Sequence, residues 1–290
     1  MPNLIHLGLP KSGSTFLQEI FKLSSNCNMI PYHIARQKTI SISRNFNAES
    51  NNIDNIENCI FSYEGISSFE HVSMSEALSA FLGDSIVLFV TREPVKFINS
   101  LYSTAVEHGA VSTIDEWMID QANRLRNYLN FKGIYHAYSE IFGVENVVFI
   151  PFEVLIKTPS DVISLLNSRN IDLTDVDSNS IYKNPSPSNI EIEYIRKINK
   201  YISTSTSERI LDPGFKKDLF RLRRKVISTL IKGRTELENR EIHKNFIKSY
   251  QESNVTISQI RKAVPDIEEQ VVFVNNLLKN SALAHEYTLS

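Results

Sequence analysis

The run Ser85-Ile86-Val87-Leu88-Phe89-Val90-Thr91 constrains the fold more than any other stretch of this chain. Five consecutive apolar residues with no polar alternation do not suit a strand with one wet face. They suit a strand covered on both faces, as in a parallel sheet between two helical layers. Three further short apolar runs, Leu4–Gly8, Cys59–Tyr63 and Asn146–Ile150, stand too far apart for hairpins, and helical signal follows each of them. Ser73-Met74-Ser75-Glu76 and Thr113-Ile114-Asp115-Glu116 both fit the capping box, in which a hydroxyl and a glutamate satisfy each other's backbone N–H groups. Thr158-Pro159 reads as an N-cap followed by proline at the first helical position. Residues 4–160 therefore read as repeated strand–helix units, the pattern of an open α/β sheet.

Residues 33–57 are polar and rich in Asn and Ser, and are expected to form a loop or partly ordered flap. After Asn184-Pro185-Ser186-Pro187-Ser188, apolar residues recur at helical spacing through Ile190–Tyr201, Phe215–Ile231, Ile242–Tyr250 and Ile267–Leu278. The expectation is one domain over 1–290, with an α/β core in 1–184 and a helical part in 185–290 packed on it. With 31 Lys+Arg against 33 Asp+Glu, the net charge of −2 lacks the basic excess of a general nucleic-acid binder. A local basic groove for one phosphorylated ligand stays open. The two cysteines, Cys27 and Cys59, have neither the number of a disulfide framework nor the C-x-x-C spacing of a zinc or redox site. No apolar run approaches the ~20 residues that span a bilayer, and Met1-Pro2-Asn3 leads into the first strand without a basic or apolar leader. A cytoplasmic, unanchored chain without a metal site is expected.

Between the first strand and a helix beginning near Thr15 lies Gly8-Leu9-Pro10-Lys11-Ser12-Gly13-Ser14-Thr15-Phe16. Such a loop points backbone N–H groups, the positive end of a helix dipole and a lysine toward one spot, which suits a phosphate or sulfate. Gly13 permits close backbone approach, Ser14 and Thr15 offer hydroxyls, and Lys11 offers charge. The order is not that of a Walker A loop, because Lys11 precedes Gly13 and no G-K-S/T follows. The strand ending at Thr91-Arg92 also lacks a Walker B aspartate, which counts against a P-loop phosphotransferase. No G-x-G-x-x-G of a dinucleotide fold occurs.

The string P-K-S-G-S-T-F resembles the 5′-phosphosulfate loop of sulfotransferases, whose common form is P-K-S/T-G-S/T-T. That resemblance implies a second motif with Arg and Ser eight residues apart after a later strand. Arg92-Glu93-Pro94 and Ser100-Leu101-Tyr102 fit it. Phe142-Gly143-Val144-Glu145-Asn146-Val147 through Phe152-Glu153-Val154-Leu155 is similar to the family's F-G-x-E-N-V to Y-E-x-L segment, and Lys232-Gly233-Arg234 to the K-G-R loop of heparan-type members. The similarity is dense over residues 4–160 and looser beyond. It implies a P-loop-like open parallel sheet flanked by helices and 3′-phosphoadenosine-5′-phosphosulfate (PAPS) as donor, leaving the 3′,5′-bisphosphate PAP. It also implies that Lys11, Ser12, Gly13, Ser14, Thr15, Phe16, Arg92, Ser100, Lys232, Gly233 and Arg234 bind the nucleotide.

In-line displacement at sulfur requires a held donor, a base for the acceptor and stabilisation of the departing phosphate. By resemblance Lys11 hydrogen-bonds the leaving oxygen, and Ser100 holds Lys11 away until the acceptor binds. Glu64, at the C-terminal end of the second strand, is the candidate base, with His71 and His33 as competitors. Phe16 stands where cytosolic members often carry an adenine-stacking Trp, Phe152 replaces the Tyr of Y-E-x-L, and the R-K-G signature of steroid and phenol enzymes is absent. Those departures turn the expectation from a small phenol toward a hydroxyl or amine on a saccharide or lipid-like acceptor. The basic helix around Arg221–Lys225 fits an anionic saccharide or a lipid headgroup, although a charge run on a helix is usually only a solvated face. A phosphotransferase and a non-catalytic nucleotide binder are the alternatives.

Overall fold

The computed structural model describes residues 2–44, 58–174, 176, 192–193, 195–197, 199–200, 255–279 and 281–288. In chain order the elements are β1 (Asn3–Gly8), α1 (Ser14–Leu23), β2 (Asn28–Met29), α2 (Tyr32–Arg44), β3 (Cys59–Ser62), a 3₁₀ turn (Glu64–Ser68), α3 (His71–Leu82), β4 (Ser85–Thr91) and α4 (Pro94–Glu107). There follow α5 (Ile114–Asp120), α6 (Ala122–Leu129), α7 (Phe131–Phe142), β5 (Val147–Pro151), α8 (Phe152–Lys157) and α9 (Pro159–Ser168), with later helices at Ile257–Ala263 and Ile267–Lys279. The chain divides into two compact units. One comprises Met1–Phe97, Ala122–Lys183 and Arg261–Ser290, the other Ile98–Gln121 and Asn184–Ile260.

In the first unit the five strands form one sheet in the order β2-β3-β1-β4-β5, with every pairing parallel. The expected fold class, an open parallel sheet flanked by helices, is the one observed. Every residue of β1, β3, β4 and β5 is buried, which is why Ile86–Val90 carries no polar alternation. On one face Leu4, Ile60, Ile86, Leu88, Val90, Val148 and Ile150 form a core with Phe16, Leu17, Ile20 and Phe21 of α1 and Val162 and Leu166 of α9. On the other, α7 packs on β4 and β5, with the Phe89 ring 6.4 Å from Phe131 and 5.0 Å from Phe149. Helix Ile267–Lys279 covers α7 and β5.

Three local expectations are corrected. Residues 33–44 are helical, because α2 starts on the Pro31 carbonyl, which accepts from Ile34 N and Ala35 N at 2.9 and 3.0 Å. Among its described side chains only Ala35 and Thr39 are buried, too few to show as periodicity. Residues 45–57 of the expected flap lie outside the described residues. Helix α3 begins earlier than the Ser73 capping box proposes: the Glu70 carboxylate is the cap, accepting from Val72 N and Ser73 N at 3.0 and 2.8 Å. The two-residue edge strand β2 is too short to leave a pattern. The Thr113–Glu116 capping box is present, and Pro159 opens α9 after Thr158, whose side chain makes no cap bond.

In the second unit the Tyr102 and Trp117 rings meet at 5.6 Å, and Asn199 Nδ2 donates to the Val106 and Ala110 carbonyls, both at 2.8 Å, closing the end of α4. Arg196 pairs with Glu193 at 2.8 Å. Most of the helical part expected in 185–290 lies outside the described residues. Neither cysteine forms a disulfide. Among the described residues no helix is long and apolar enough to cross a membrane.

Candidate active site

The loop after β1 is tied to β4 by Leu9 N, which donates to Val90 O at 3.2 Å, and it folds back through Ser12 N donating to Leu9 O at 3.2 Å. Two residues take the left-handed conformation, Lys11 at φ 66° and Gly13 at φ 79°. Gly13 is the N-cap of α1 and has no side chain to cap it, so the first-turn N–H groups keep no side-chain acceptor. A Cβ on Gly13 would come within 3.1 Å of Phe152 and Leu155, so the position also demands glycine for space. The hydroxyls of Ser12 and Ser14 are buried and have no hydrogen-bond partner. Buried orphan hydroxyls are costly. Here they sit at a helix N-terminus, where an anion supplies the missing acceptor. Lys11 and Thr15 are exposed on the same turn.

On the adjacent strand Arg92 follows β4, and its Nη1 donates to the Lys11 carbonyl. Its guanidinium lies 4.6 Å from the centre of the Phe152 ring, a cation–π contact, and its Nε is buried without a partner. Burial draws the Arg92 pKa down, while the charges of Glu153 and Glu93 draw it back up. Glu153 Oε1 accepts from Glu93 N at 3.5 Å, and His285 Nε2 stands 3.9 Å from Glu153 Oε2. Beside them the buried Tyr287 hydroxyl lies 2.6 Å from Thr91 Oγ1.

On the other flank of β1, Glu64 opens the 3₁₀ turn directly after β3. It is half-buried, and its Oε2 is buried with no hydrogen-bond partner. Burial pushes its pKa above the usual carboxylate range, against hydrogen bonds from its own backbone and the Gln18 side chain and the positive charge of Lys11. The turn is pinned by Ser67 Oγ, which donates to Gly8 O at 2.8 Å.

Lys11, Ser12, Gly13, Ser14, Thr15, Glu64 and Arg92 thus fall on three loops at the C-terminal ends of the neighbouring strands β3, β1 and β4. Phe16, expected among the nucleotide-binding residues where relatives carry a stacking Trp, is 6% exposed, its ring buried in the core beside Leu17 and Ile20. Ser100 is buried on α4, within the second unit. Lys232, Gly233 and Arg234 lie outside the described residues. Of the competing histidines, His71 is buried with Nε2 3.1 Å from the Asn127 carbonyl, and burial lowers its pKa; His33 is exposed on α2. Sequence reasoning missed Gln18, His6, Glu153 and Tyr287. The one available signal was two polar residues, His6 and Ser62, set in otherwise apolar buried strands; they pair in register.

No protein-family model and no curated protein matches the chain. Among solved structures it is similar to a sulfotransferase from Alicyclobacillus acidocaldarius, with 15% identity over 71% of this chain and 92% of that one and a TM-score of 0.49. It is also similar to a sulfotransferase domain from the curacin biosynthetic pathway, with 15% identity over 77% of this chain and 97% of that one and a TM-score of 0.41. A third is a mouse sulfotransferase complexed with PAP, with 10% identity over 72% of this chain and 68% of that one and a TM-score of 0.41. Likeness of that order carries nothing about chemistry, which rests on the residues of this chain.

Proposed function

We propose that this protein is a sulfotransferase that moves the sulfuryl group of PAPS to a hydroxyl or amine of a saccharide or lipid-like acceptor. The observation that supports it most is the hydrogen bond from Arg92 to the Lys11 carbonyl. It joins the turns after two neighbouring parallel strands, each carrying the cation that one end of a bisphosphorylated nucleotide needs. The orphan Ser12 and Ser14 hydroxyls and the uncapped N-terminus of α1 fit the 5′ end. Arg92 fits the 3′-phosphate, while Ser100, Lys232, Gly233 and Arg234 enter this reading from the sequence motifs alone.

PAPS supplies an activated sulfuryl group. Glu64 Oε2 takes the acceptor's proton as the new bond to sulfur forms. Lys11 stabilises the oxygen of the phosphate that leaves as the old bond breaks, worth about 3 kcal/mol by analogy with an oxyanion-hole donor. A carboxyl raised by burial is the better proton acceptor, and it acts only above its own pKa, so activity falls as pH drops through that value.

The test is transfer of labelled sulfate from PAPS in the presence of EDTA. Wild type is expected to turn over, whereas Lys11→Ala and Glu64→Gln each lose about a hundredfold or more in kcat. PAP is expected to raise the melting temperature, and Arg92→Ala to weaken PAP binding by about 2–4 kcal/mol. A chain whose melting temperature PAP leaves unmoved is not a PAPS enzyme.

A further inference from the structure

Among the described residues Arg92 has no carboxylate partner, although Glu93 and Glu153 both act on its charge. Glu93 forms an ion pair with Lys96 instead. Glu153 Oε1 accepts from Glu93 N at 3.5 Å, and its Oε2 stands 3.9 Å from His285 Nε2. Arg92 Nη1 donates to the Lys11 carbonyl, and Nε is buried with no hydrogen-bond partner. What lies against the guanidinium is the Phe152 ring, whose centre is 4.6 Å from Cζ.

The sheet puts the ring there. Thr91 of β4 and Pro151 of β5 are partners in register, and Arg92 and Phe152 each follow directly. Pro151 is extended, with φ −66° and ψ 131°, and is the N-cap of α8, so Phe152 is the first residue of that helix. The same ring reaches the turn after β1: its Cδ2 lies 3.1 Å and its Cε2 3.2 Å from where a Cβ on Gly13 would stand. One edge of the ring thus abuts the turn that carries Lys11, and its face carries the cation that binds the Lys11 carbonyl. A ring face attracts a charge without an oxygen to occupy its donors. A carboxylate in that place would take up those donors and neutralise the charge that a phosphate needs.

We propose that Phe152 is a positioning residue for Arg92: its ring, set by the β4–β5 register against the turn after β1, holds the guanidinium beside the Lys11 carbonyl and leaves its other donors for an anion. The proposal rests on the reading of Arg92 as the 3′-phosphate ligand for the identity of that anion. It gives Phe152 a task that needs an aromatic ring and no hydroxyl, in the place where the sulfotransferase segment carries Tyr.

The first measurement needs no nucleotide. In the whole chain with nitrogen-labelled arginine, the NMR signal of the Arg92 Nε–H proton is identified by its loss in Arg92→Lys. It is expected upfield of those of exposed arginines, because the ring current shields a proton above the ring face. Phe152→Leu keeps apolar bulk without the ring and should return the signal to the exposed range, whereas Phe152→Tyr should leave it upfield. The second measurement is PAP affinity by calorimetry. Phe152→Leu should weaken PAP binding about tenfold, about 1.4 kcal/mol, and Phe152→Tyr by less than about twofold. In an Arg92→Ala background Phe152→Leu should change the affinity no further, because a residue that acts through Arg92 has nothing left to act on. A further loss in that background means that the ring acts independently of Arg92 and overturns the positioning role. So does a wild-type signal in the exposed range, which requires no Phe152 variant to fold. A shielded signal that Phe152→Leu releases, in a chain that PAP does not bind, upholds the positioning and fails the PAPS reading, so the two failures are told apart.

Discussion

His6 shows how one buried side chain sets the pH range in which the whole unit is stable. Complete burial lowers its pKa from 6.5 to about 3. The unfolded chain therefore binds a proton that the folded chain refuses, and stability falls as pH drops below the unfolded value. Between pH 8 and pH 5 the loss from this group is about 2 kcal/mol, continuing until the folded value near 3. Urea unfolding at the two pH values measures it. His6→Leu is expected to be less stable than wild type at pH 8, where the Ser62 contact is lost, yet to lack this part of the pH slope. An equal slope in both proteins would show that the acid lability lies elsewhere. Residues at strand ends, namely Lys11, Glu64 and Arg92, were legible in the sequence because chemistry in a parallel sheet gathers there. Gln18 was not: a glutamine in a helix reads as surface, and only the pairing of β1 with β3 brings Ser62 beneath it.

At the scale of elements, the turn between β1 and α1 stands on Gly13 for two separable reasons, conformation and space. Its φ of 79° disfavours any side chain, and a Cβ there would press on Phe152 and Leu155 at 3.1 Å. Gly83, the C-cap of α3, has φ 63° with nothing within 4 Å of a Cβ. Gly83→Ala should therefore cost only the conformational part, about 1–3 kcal/mol at its ψ of −145°. Gly13→Ala, in the left-handed helical region with ψ 16°, should cost about 1–2 kcal/mol for conformation and about 1–3 kcal/mol more for overpacking. Denaturant midpoints of the two variants provide the comparison, and PAP should no longer raise the melting temperature of Gly13→Ala. A cost at Gly13 no larger than its conformational part, about 1–2 kcal/mol, would mean that Phe152 and Leu155 yield freely. The same scale shows where sequence pattern runs out. β4 and the Thr113 box were legible because long apolar runs and paired caps are local signals. α2 was not, because among its described side chains only an alanine and a threonine are buried, too little of a face to read.

For the whole molecule, the strand order brings the candidate residues together: β1 is central, the chain fills β2 and β3 on one side of it before crossing to β4 and β5 on the other, and the turn after β1 is tied to β4 by Leu9 N and to Arg92 by the Lys11 carbonyl. Four of the five strands could be read from the sequence, but their order could not, since it is fixed by contacts between distant residues. The most distant of these come from the C-terminal segment. Leu283 joins the core of β1 and β4, and Tyr287 exchanges backbone hydrogen bonds with the Asn275 side chain at 2.8 and 2.9 Å while its hydroxyl meets Thr91 at 2.6 Å. This segment thus packs against the strand that presents Arg92, although nothing local in its sequence announces it. Tyr287→Phe removes one buried hydrogen bond and should cost about 1 kcal/mol. A chain ending at Lys279 also loses the buried Leu283 and the Tyr287 ring and should cost about 4 kcal/mol or more. Both are read from urea midpoints, and PAP affinity should fall in the order wild type, Tyr287→Phe, truncated chain if the segment supports Arg92. A truncated chain as stable as wild type would mean that the last residues only lie upon the sheet and do not complete it.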